Sequence, residues 1–71
     1  MKIELQDYDR FLVTHDVDLK NIVDIWGGDE GGSYIRHFER RKDKEPTTIR
    51  VKKSPEDILM FIVEKIKRGV L

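Results

Sequence analysis

Histidine and carboxylate side chains have the richest chemistry in this chain, and three of them stand close together near its start. His15, Asp16 and Asp18 supply an imidazole and two carboxylates, which divalent cations accept as ligands. No further set of ligands with regular spacing accompanies them, and short aspartate clusters commonly bond to nearby backbone amides. We therefore interpret Asp16 and Asp18 as turn or cap residues, and we predict no metal site and no cofactor.

The other reactive side chains show no catalytic pairing. His37 lies in a predicted strand beside Arg36, and we interpret it as a surface residue. No serine or threonine has a recognisable base partner, and the chain contains no cysteine. The glycines from Gly27 to Gly32 lack the spacing and the following lysine of a phosphate-binding loop, so they predict a flexible connector. We expect a protein that is not an enzyme and binds no small-molecule substrate.

Basic and aromatic side chains are interleaved over residues 33–53, which makes this segment the best candidate for a nucleic-acid contact. Residues 1–32 hold three basic and eight acidic side chains, whereas residues 33–71 hold eleven and six. Interleaved aromatic and basic groups stack bases and bind phosphates. The predicted contact residues are Tyr34, Arg36, Phe38, Arg40, Arg41, Arg50 and Lys52. Because the whole chain has no net charge, nucleic-acid binding is the alternative function rather than the first.

The sequence from Ser54 to Arg68 predicts an amphipathic helix. Ser54 suits the N-cap, a proline and two acids follow it, and Gly69 is placed to end the helix. At about 100° per residue, one apolar stripe forms the predicted core side of this helix. Its members are Ile58, Leu59, Ile62, Val63, Ile66 and Val70. Met60 and Phe61 fall outside that stripe, among charged residues.

Met60 and Phe61 therefore carry the first functional hypothesis, with Glu64 beside them. Exposed large apolar side chains in a group mark contact surfaces, and methionine and phenylalanine are common at interfaces. A chain of 71 residues has a thin core, so pairing of two copies would add stability. We expect a small interaction or regulatory module that forms a homodimer or binds another protein.

The remaining segments predict a small antiparallel sheet, and hence a single α+β domain over residues 1–71. Strand-like alternation occurs in residues 2–6, 10–14, 33–41 and 47–53. Residues 18–26 have helical spacing, but their β-branched and aromatic side chains favour a strand. The helical interpretation, which we prefer, gives the order ββαββα. The strand interpretation gives a four- or five-stranded meander covered by one helix.

The composition also bears on location. The absence of cysteine favours a reducing compartment, which points to the cytoplasm. The longest apolar run, from Ile58 to Val63, is far shorter than the roughly 20 residues of a membrane span. The first residues alternate charged and apolar side chains and show no apolar leader segment. We expect a cytoplasmic protein that makes no contact with membranes.

Overall fold

The computed structural model describes residues 1–40 and 42–69 and contains five strands, one short 3-10 helix and one α-helix. The strands are β1 (Lys2–Gln6), β2 (Thr14–Asp18), β3 (Ile22–Gly27), β4 (Ser33–His37) and β5 (Thr47–Val51). The 3-10 helix covers Leu19–Asn21, and α1 covers Pro55–Lys67. The predicted α+β class, with a small antiparallel sheet and a C-terminal helix, is confirmed.

Two small antiparallel sheets share the strands. One contains β1 and β2, and the other has the order β3-β4-β5. The segment that follows β1 joins them, because Asp7 bridges to Val51 and the Tyr8 amide donates to the Arg50 carbonyl at 3.0 Å. The Lys52 amide donates to the Gln6 carbonyl, also at 3.0 Å. The two sheets are therefore linked through the inner edge of β5, and β3 lies at the opposite edge of its sheet.

The core lies between the two sheets and is closed by α1. Alternate strand residues point into it, as the spacing of Ile49 and Val51 predicts. Among the described residues, seven hydrophobic side chains are buried there: Ile3, Leu5, Val17, Ile35, Ile49, Val51 and Ile58. Only one of the seven comes from α1, so most of the helix's apolar surface is left for other uses.

The segment from residue 18 to residue 26 does not form the α-helix that we preferred: Leu19–Asn21 form a 3-10 helix, and β3 begins at Ile22. Asp18 does act as a cap, because its side chain accepts from the Lys20 amide at 3.2 Å, but the turn it starts ends at Asn21. From Ile22 onward the β-branched and aromatic residues pair with β4. The order ββαββα is thus replaced by five strands, the count of the alternative, divided between two sheets.

The second strand was also misplaced. Residues 10–14 were predicted as a strand, but β2 begins only at Thr14, and Phe11 and Leu12 occupy the turn before it. The Val13 amide closes this turn on the Arg10 carbonyl at 3.0 Å. The alternation of Phe11 and Val13 wrongly predicted a strand, because the backbone here is hydrogen-bonded within a turn and not to a neighbouring strand.

The C-terminal helix has the predicted bounds and cap but a different inward face. Ser54 accepts from the Asp57 amide at 3.2 Å, and Gly69 adopts a φ of +70° after the last turn. The side chains turned toward the core are Ile58, Phe61, Ile62 and Lys65, at positions i, i+3, i+4 and i+7. The prediction that Phe61 lies outside the core stripe is wrong, since Phe61 packs against the core.

Leu59, Val63 and Ile66 were predicted as core residues, and that prediction is wrong as well. The apolar residues of α1 extend around more than half of its circumference, while one small core covers only a third of it. Periodicity identifies the apolar arc but not the part of it that meets the sheets. Val70, the last member of the predicted stripe, lies outside the described residues.

Candidate functional site

An apolar surface runs along the outer side of α1. Its four side chains are exposed in large part, Leu59 by 62%, Met60 by 64%, Val63 by 40% and Ile66 by 48%. Leu59, Val63 and Ile66 stand at i, i+4 and i+7, so they form a line along successive turns, with Met60 beside it. We call these four residues the outer stripe. Large apolar side chains grouped in this way are typical of contact surfaces.

Two of the three predicted interface residues lie at this surface. Met60 belongs to the outer stripe, and Glu64 is exposed on the next turn. Phe61 is half-buried instead, and the ammonium groups of Lys53 and Lys65 lie 5.4 and 5.0 Å from its ring centroid. Phe61 is therefore less exposed than the interface hypothesis from the sequence assumed. Sequence reasoning missed Leu59, Val63 and Ile66 because it had assigned them to the core.

A second feature lies on the outer face of the β3-β4-β5 sheet, where four planar groups form one row. Trp26, Tyr34 and Arg50 are register neighbours on the three strands, and Tyr8 adds the fourth group. The Arg50 Cζ atom is 3.7 Å from the Tyr8 centroid and 5.0 Å from the Tyr34 centroid. The rings of Tyr34 and Trp26 stack with centroids 5.5 Å apart. We call these four residues the planar row.

Cation–π attraction and ring stacking hold the planar row together. The row also fixes the glycine-rich loop between β3 and β4. The Tyr8 hydroxyl donates to the Glu30 carbonyl at 3.1 Å, and Arg50 Nη2 donates to the Gly31 carbonyl at 3.3 Å. The segment predicted as a flexible connector is thus attached to the sheet at two points.

An open cleft of about 430 Å³ lies between the planar row and this loop. Its walls are formed by Trp26, Gly27, Gly28, Asp29, Glu30, Tyr34 and Arg50. Aromatic rings, two carboxylates and one guanidinium therefore meet at one place on the surface. Trp26 was missed because we had placed it on a helix. The glycine-rich turn between two β-rich segments was the signal that could have revealed the hairpin and its register.

The structure separates the predicted nucleic-acid residues. Tyr34, Arg36 and Arg50 share the outer sheet face, whereas Lys52 lies beyond β5 with its ammonium group 5.9 Å from the Phe11 ring centroid. Phe38 and Arg40 follow the end of β4, so the predicted strand face that joined them to Tyr34 does not exist. Arg41 lies outside the described residues.

Acidic residues from the first half of the chain lie beside this basic segment. Asp24 on β3 is paired with Arg36, with Oδ2 and Nη2 3.7 Å apart, and Asp29 and Glu30 line the cleft. The opposite charges of the two halves therefore meet on the outer sheet face. A long phosphate backbone would be attracted weakly to such a mixed surface.

Both histidines lie among residues that form the fold, and His15 is hydrogen-bonded within it. The Nε2–H of His15 donates to Asp7 Oδ1 at 2.8 Å, and the other Asp7 oxygen accepts from the Arg10 amide at 2.8 Å. The hydrogen bond from His15 is the main reason why the pKa of Asp7 falls from 3.8 to about 2. Together these bonds support the turn that exposes Phe11 by 75% and Leu12 by 89%.

His37, which we had interpreted as a surface residue, is buried. It lies on the inner face of the sheet, and burial lowers its pKa, because the charged imidazolium would lose its hydration. Its Nε2 atom has no hydrogen-bond partner among the described residues. A cleft of about 320 Å³ lies beside it, lined also by Lys2, Asp16, Asp18, Lys20, Asn21, Phe38 and Glu39.

Asp16 and Asp18 do not gather with His15 around one point. His15 and Asp16 point to opposite faces of β2, and Asp18 caps the 3-10 helix and lies 3.7 Å from the N-terminal ammonium group. Within residues 1–40 and 42–69, no three metal-binding side chains are grouped closely enough to hold an ion. None of the helical segments described here has the length and apolarity of a membrane span.

Comparison of the chain with protein-family models, with curated proteins and with solved structures finds no match to any of them. Two surfaces of the molecule point to function, the outer stripe on α1 and the planar row with its cleft.

Proposed function

We propose that this protein is a non-enzymatic interaction module that pairs with a second copy of itself through the outer stripe of α1. The observation that carries the proposal is the exposure of four neighbouring apolar side chains, by 40 to 64%, on the longest element of a small domain. Met60 belongs both to this surface and to the interface expected from the sequence. Leu59, Val63 and Ile66 form the rest of the outer stripe.

The apolar area of the outer stripe sets the expected strength of pairing. Covering a half-exposed Leu, Val, Ile or Met side chain contributes about 1 kcal/mol. Four such residues from each copy contribute about 8 kcal/mol, against an association cost of about 4–15 kcal/mol. We therefore expect a weak dimer whose population depends on protein concentration.

The charges at the two ends of α1 favour an antiparallel pair of helices. Glu56 and Asp57 lie in the first turn, and Lys65 and Lys67 lie in the last turn. A two-fold axis across the outer stripe would place the acidic end of each helix beside the basic end of the other. Such complementarity favours a second copy as the partner, since the same surface supplies both signs.

Sedimentation velocity at increasing protein concentration tests this proposal. We expect the wild-type sedimentation coefficient to rise with concentration, and we expect Leu59→Glu with Val63→Glu to remove the rise, because four buried carboxylates would face each other. Phe11→Glu with Leu12→Glu is the matched control, since it replaces two apolar residues that are even more exposed and lie on a different surface. Circular dichroism of each variant shows whether the fold is retained.

A charge exchange tests the antiparallel arrangement. Glu56→Lys should weaken pairing, and adding Lys67→Glu should restore it, because complementarity returns with its direction reversed. A wild-type protein that stays monomeric at every concentration, with the double glutamate variant indistinguishable from it, would contradict self-association.

We also propose that the protein acts in the cytoplasm and is not an enzyme. A cytoplasmic site of action is supported by the absence of cysteine from the chain. A non-enzymatic role is supported by the surroundings of the histidines, because His15 is bonded to Asp7 and His37 is buried.

A further inference from the structure

The cleft beside the planar row combines three kinds of contact that one ligand class can use together. Trp26 and Tyr34 present aromatic surface, Asp29 and Glu30 present hydrogen-bond acceptors, and Arg50 presents donors. The Arg50 guanidinium is already positioned by two rings and by its bond to the Gly31 carbonyl. The arrangement is preformed, since the loop that supplies the carboxylates is bonded to Tyr8 and Arg50.

The mixed charge of the cleft selects against simple ions. A cationic ligand would be attracted by Asp29 and Glu30 but repelled by Arg50, and an anionic ligand would meet the opposite balance. A neutral planar ligand avoids both penalties. If its edge carries a donor beside an acceptor, it can bond to a carboxylate and to the guanidinium while its ring packs on the aromatic side chains.

We propose that this cleft binds a nucleobase that carries an exocyclic amino group, with its ring packed on the edges of Trp26 and Tyr34. The faces of Tyr34 are already covered by Trp26 and by Arg50. The amino group would donate to Asp29 or Glu30, and a ring carbonyl would accept from Arg50. Carboxylates accept from the amino group of cytosine in this manner, and aromatic edges pack favourably on the face of another ring. Uracil and thymine carry a carbonyl where cytosine carries its amino group. Their one edge donor, the ring N3–H, lies between two carbonyl oxygens that a carboxylate would repel, so they should bind more weakly.

The proposed site differs from the nucleic-acid interface expected from the sequence. That expectation combined stacking of bases on aromatic side chains with phosphate contacts from many basic ones, whereas the cleft shares only Tyr34 and Arg50 with that set and offers base-edge contacts with a single arginine. Affinity for the base should therefore depend little on salt, because few phosphate contacts contribute to it. A nucleoside and a single strand of nucleic acid both supply the same base, and the experiment below separates them.

Fluorescence of Trp26 provides the readout, because it is the only tryptophan in the chain. Cytidine and uridine form a matched pair of probes, with the same sugar and no phosphate. We expect saturable quenching by cytidine and at least about tenfold weaker binding of uridine, as base-edge discrimination of this kind usually provides. Oligodeoxycytidine and oligothymidine strands then show whether a strand binds more tightly than the free nucleoside.

Asp29→Asn with Glu30→Gln tests the role of the carboxylates and should remove the preference for cytidine. Glu4→Gln with Glu45→Gln is the matched control, because it neutralises two exposed carboxylates outside the cleft and should leave the preference for cytidine unchanged. The Leu59→Glu, Val63→Glu variant should bind cytidine like the wild type, so failure of self-association and failure of base binding can be distinguished.

Two results would overturn the inference. One is the absence of saturable quenching by cytidine while circular dichroism shows a folded protein. The other is equal binding of cytidine and uridine that does not respond to the Asp29→Asn, Glu30→Gln change. In either case the planar row would serve only to attach the β3–β4 loop to the sheet.

Discussion

The inner and outer faces of the β3-β4-β5 sheet are stabilised by different forces. On the inner face, Ile35 and Val51 are fully buried, and removal of apolar surface from water supplies the free energy. On the outer face, Tyr34 and Arg50 alternate with them along the same strands and remain partly exposed. Stacking and cation–π attraction around one guanidinium order the side chains there.

The inner face therefore contributes mainly to stability, whereas the outer face is available for binding. The apolar side chains of the inner face are covered by the other sheet and by α1, so they contribute to the core and are not available to a ligand. The outer face is ordered by weaker contacts and stays open to ligands, with its rings held in place before a partner arrives. Preorganised aromatic groups at a surface lower the entropic cost of binding.

Removing a buried side chain from the inner face should have the largest effect. We expect Ile35→Ala to lower the free energy of unfolding by about 3 kcal/mol, because it leaves a cavity in a core of seven side chains. Chemical denaturation measures the change. Thr48→Ala, on an exposed position of β5, is the control and should stay within about 0.5 kcal/mol of the wild type. Equal losses for both variants would contradict the contrast between the faces.

A smaller but still substantial effect is expected at the loop that the planar row holds. Gly32 has a φ of +71°, and a Cβ atom there would lie 2.5 Å from the Val51 carbonyl oxygen. Gly32→Ala should therefore cost about 2 kcal/mol, from the backbone conformation and the displacement of β5.

Gly31 provides the matched control for this change. It also has a positive φ, of +96°, but a Cβ atom would meet nothing within 4 Å. Gly31→Ala should cost about 1 kcal/mol, which is the conformational part alone. If the two variants unfold at the same denaturant concentration, the close approach of the loop to β5 is not a constraint on stability.

Breaking the planar row should cost less than either change. We expect Arg50→Leu to lower the free energy of unfolding by about 1 kcal/mol, the usual size of a cation–π contact that is partly exposed. The fluorescence of Trp26 should change as well, because Tyr34 loses the neighbour that holds its ring. Arg36→Leu is the control, since Arg36 lies on the same face and its guanidinium is paired with Asp24 rather than with the rings of the planar row. A larger loss for Arg36→Leu would refute the central role of Arg50.

The sequence predicted the parts of the fold that depend on local rules. The cap at Ser54 and the end of α1 at Gly69 follow from side-chain and backbone preferences that act within one turn. The inward positions of Ile49 and Val51 follow from strand alternation. Residues 18–26 have a local pattern that fits both a helix and a strand. Pairing with β4 selects the strand from Ile22 onward, and this pairing depends on residues that are distant in the sequence.

The functional surfaces were harder to predict for the same reason. The outer stripe contains Leu59 and Val63 because tertiary packing turned α1 so that Phe61 faces inward, and periodicity alone cannot give that rotation. The planar row joins Tyr8, Tyr34 and Arg50 from three separate segments through the strand register. Met60 was located correctly since it lies at the edge of the apolar arc under either rotation.

The last effect depends on pH and concerns Asp7, which follows the buried Leu5 and precedes Tyr8 of the planar row. The pKa of Asp7 is lowered from 3.8 to about 2, first by the hydrogen bond from His15 and then by the Arg10 amide. Because its pKa is lower in the folded protein than in the unfolded chain, Asp7 stabilises the fold fully above pH 4 or so. This contribution should disappear as the pH falls from about 4 to about 2.

Thermal unfolding of the wild type and of Asp7→Asn across this pH range tests the assignment. We expect the variant to be less stable at pH 7 and to lose less stability between pH 4 and pH 2, because it has no carboxylate to protonate. Asp9→Asn, which neutralises the exposed neighbouring carboxylate, should keep the wild-type decline. If Asp7→Asn declines as steeply as the wild type, the acid sensitivity arises elsewhere, and the bond between Asp7 and His15 is not what stabilises the junction of the two sheets.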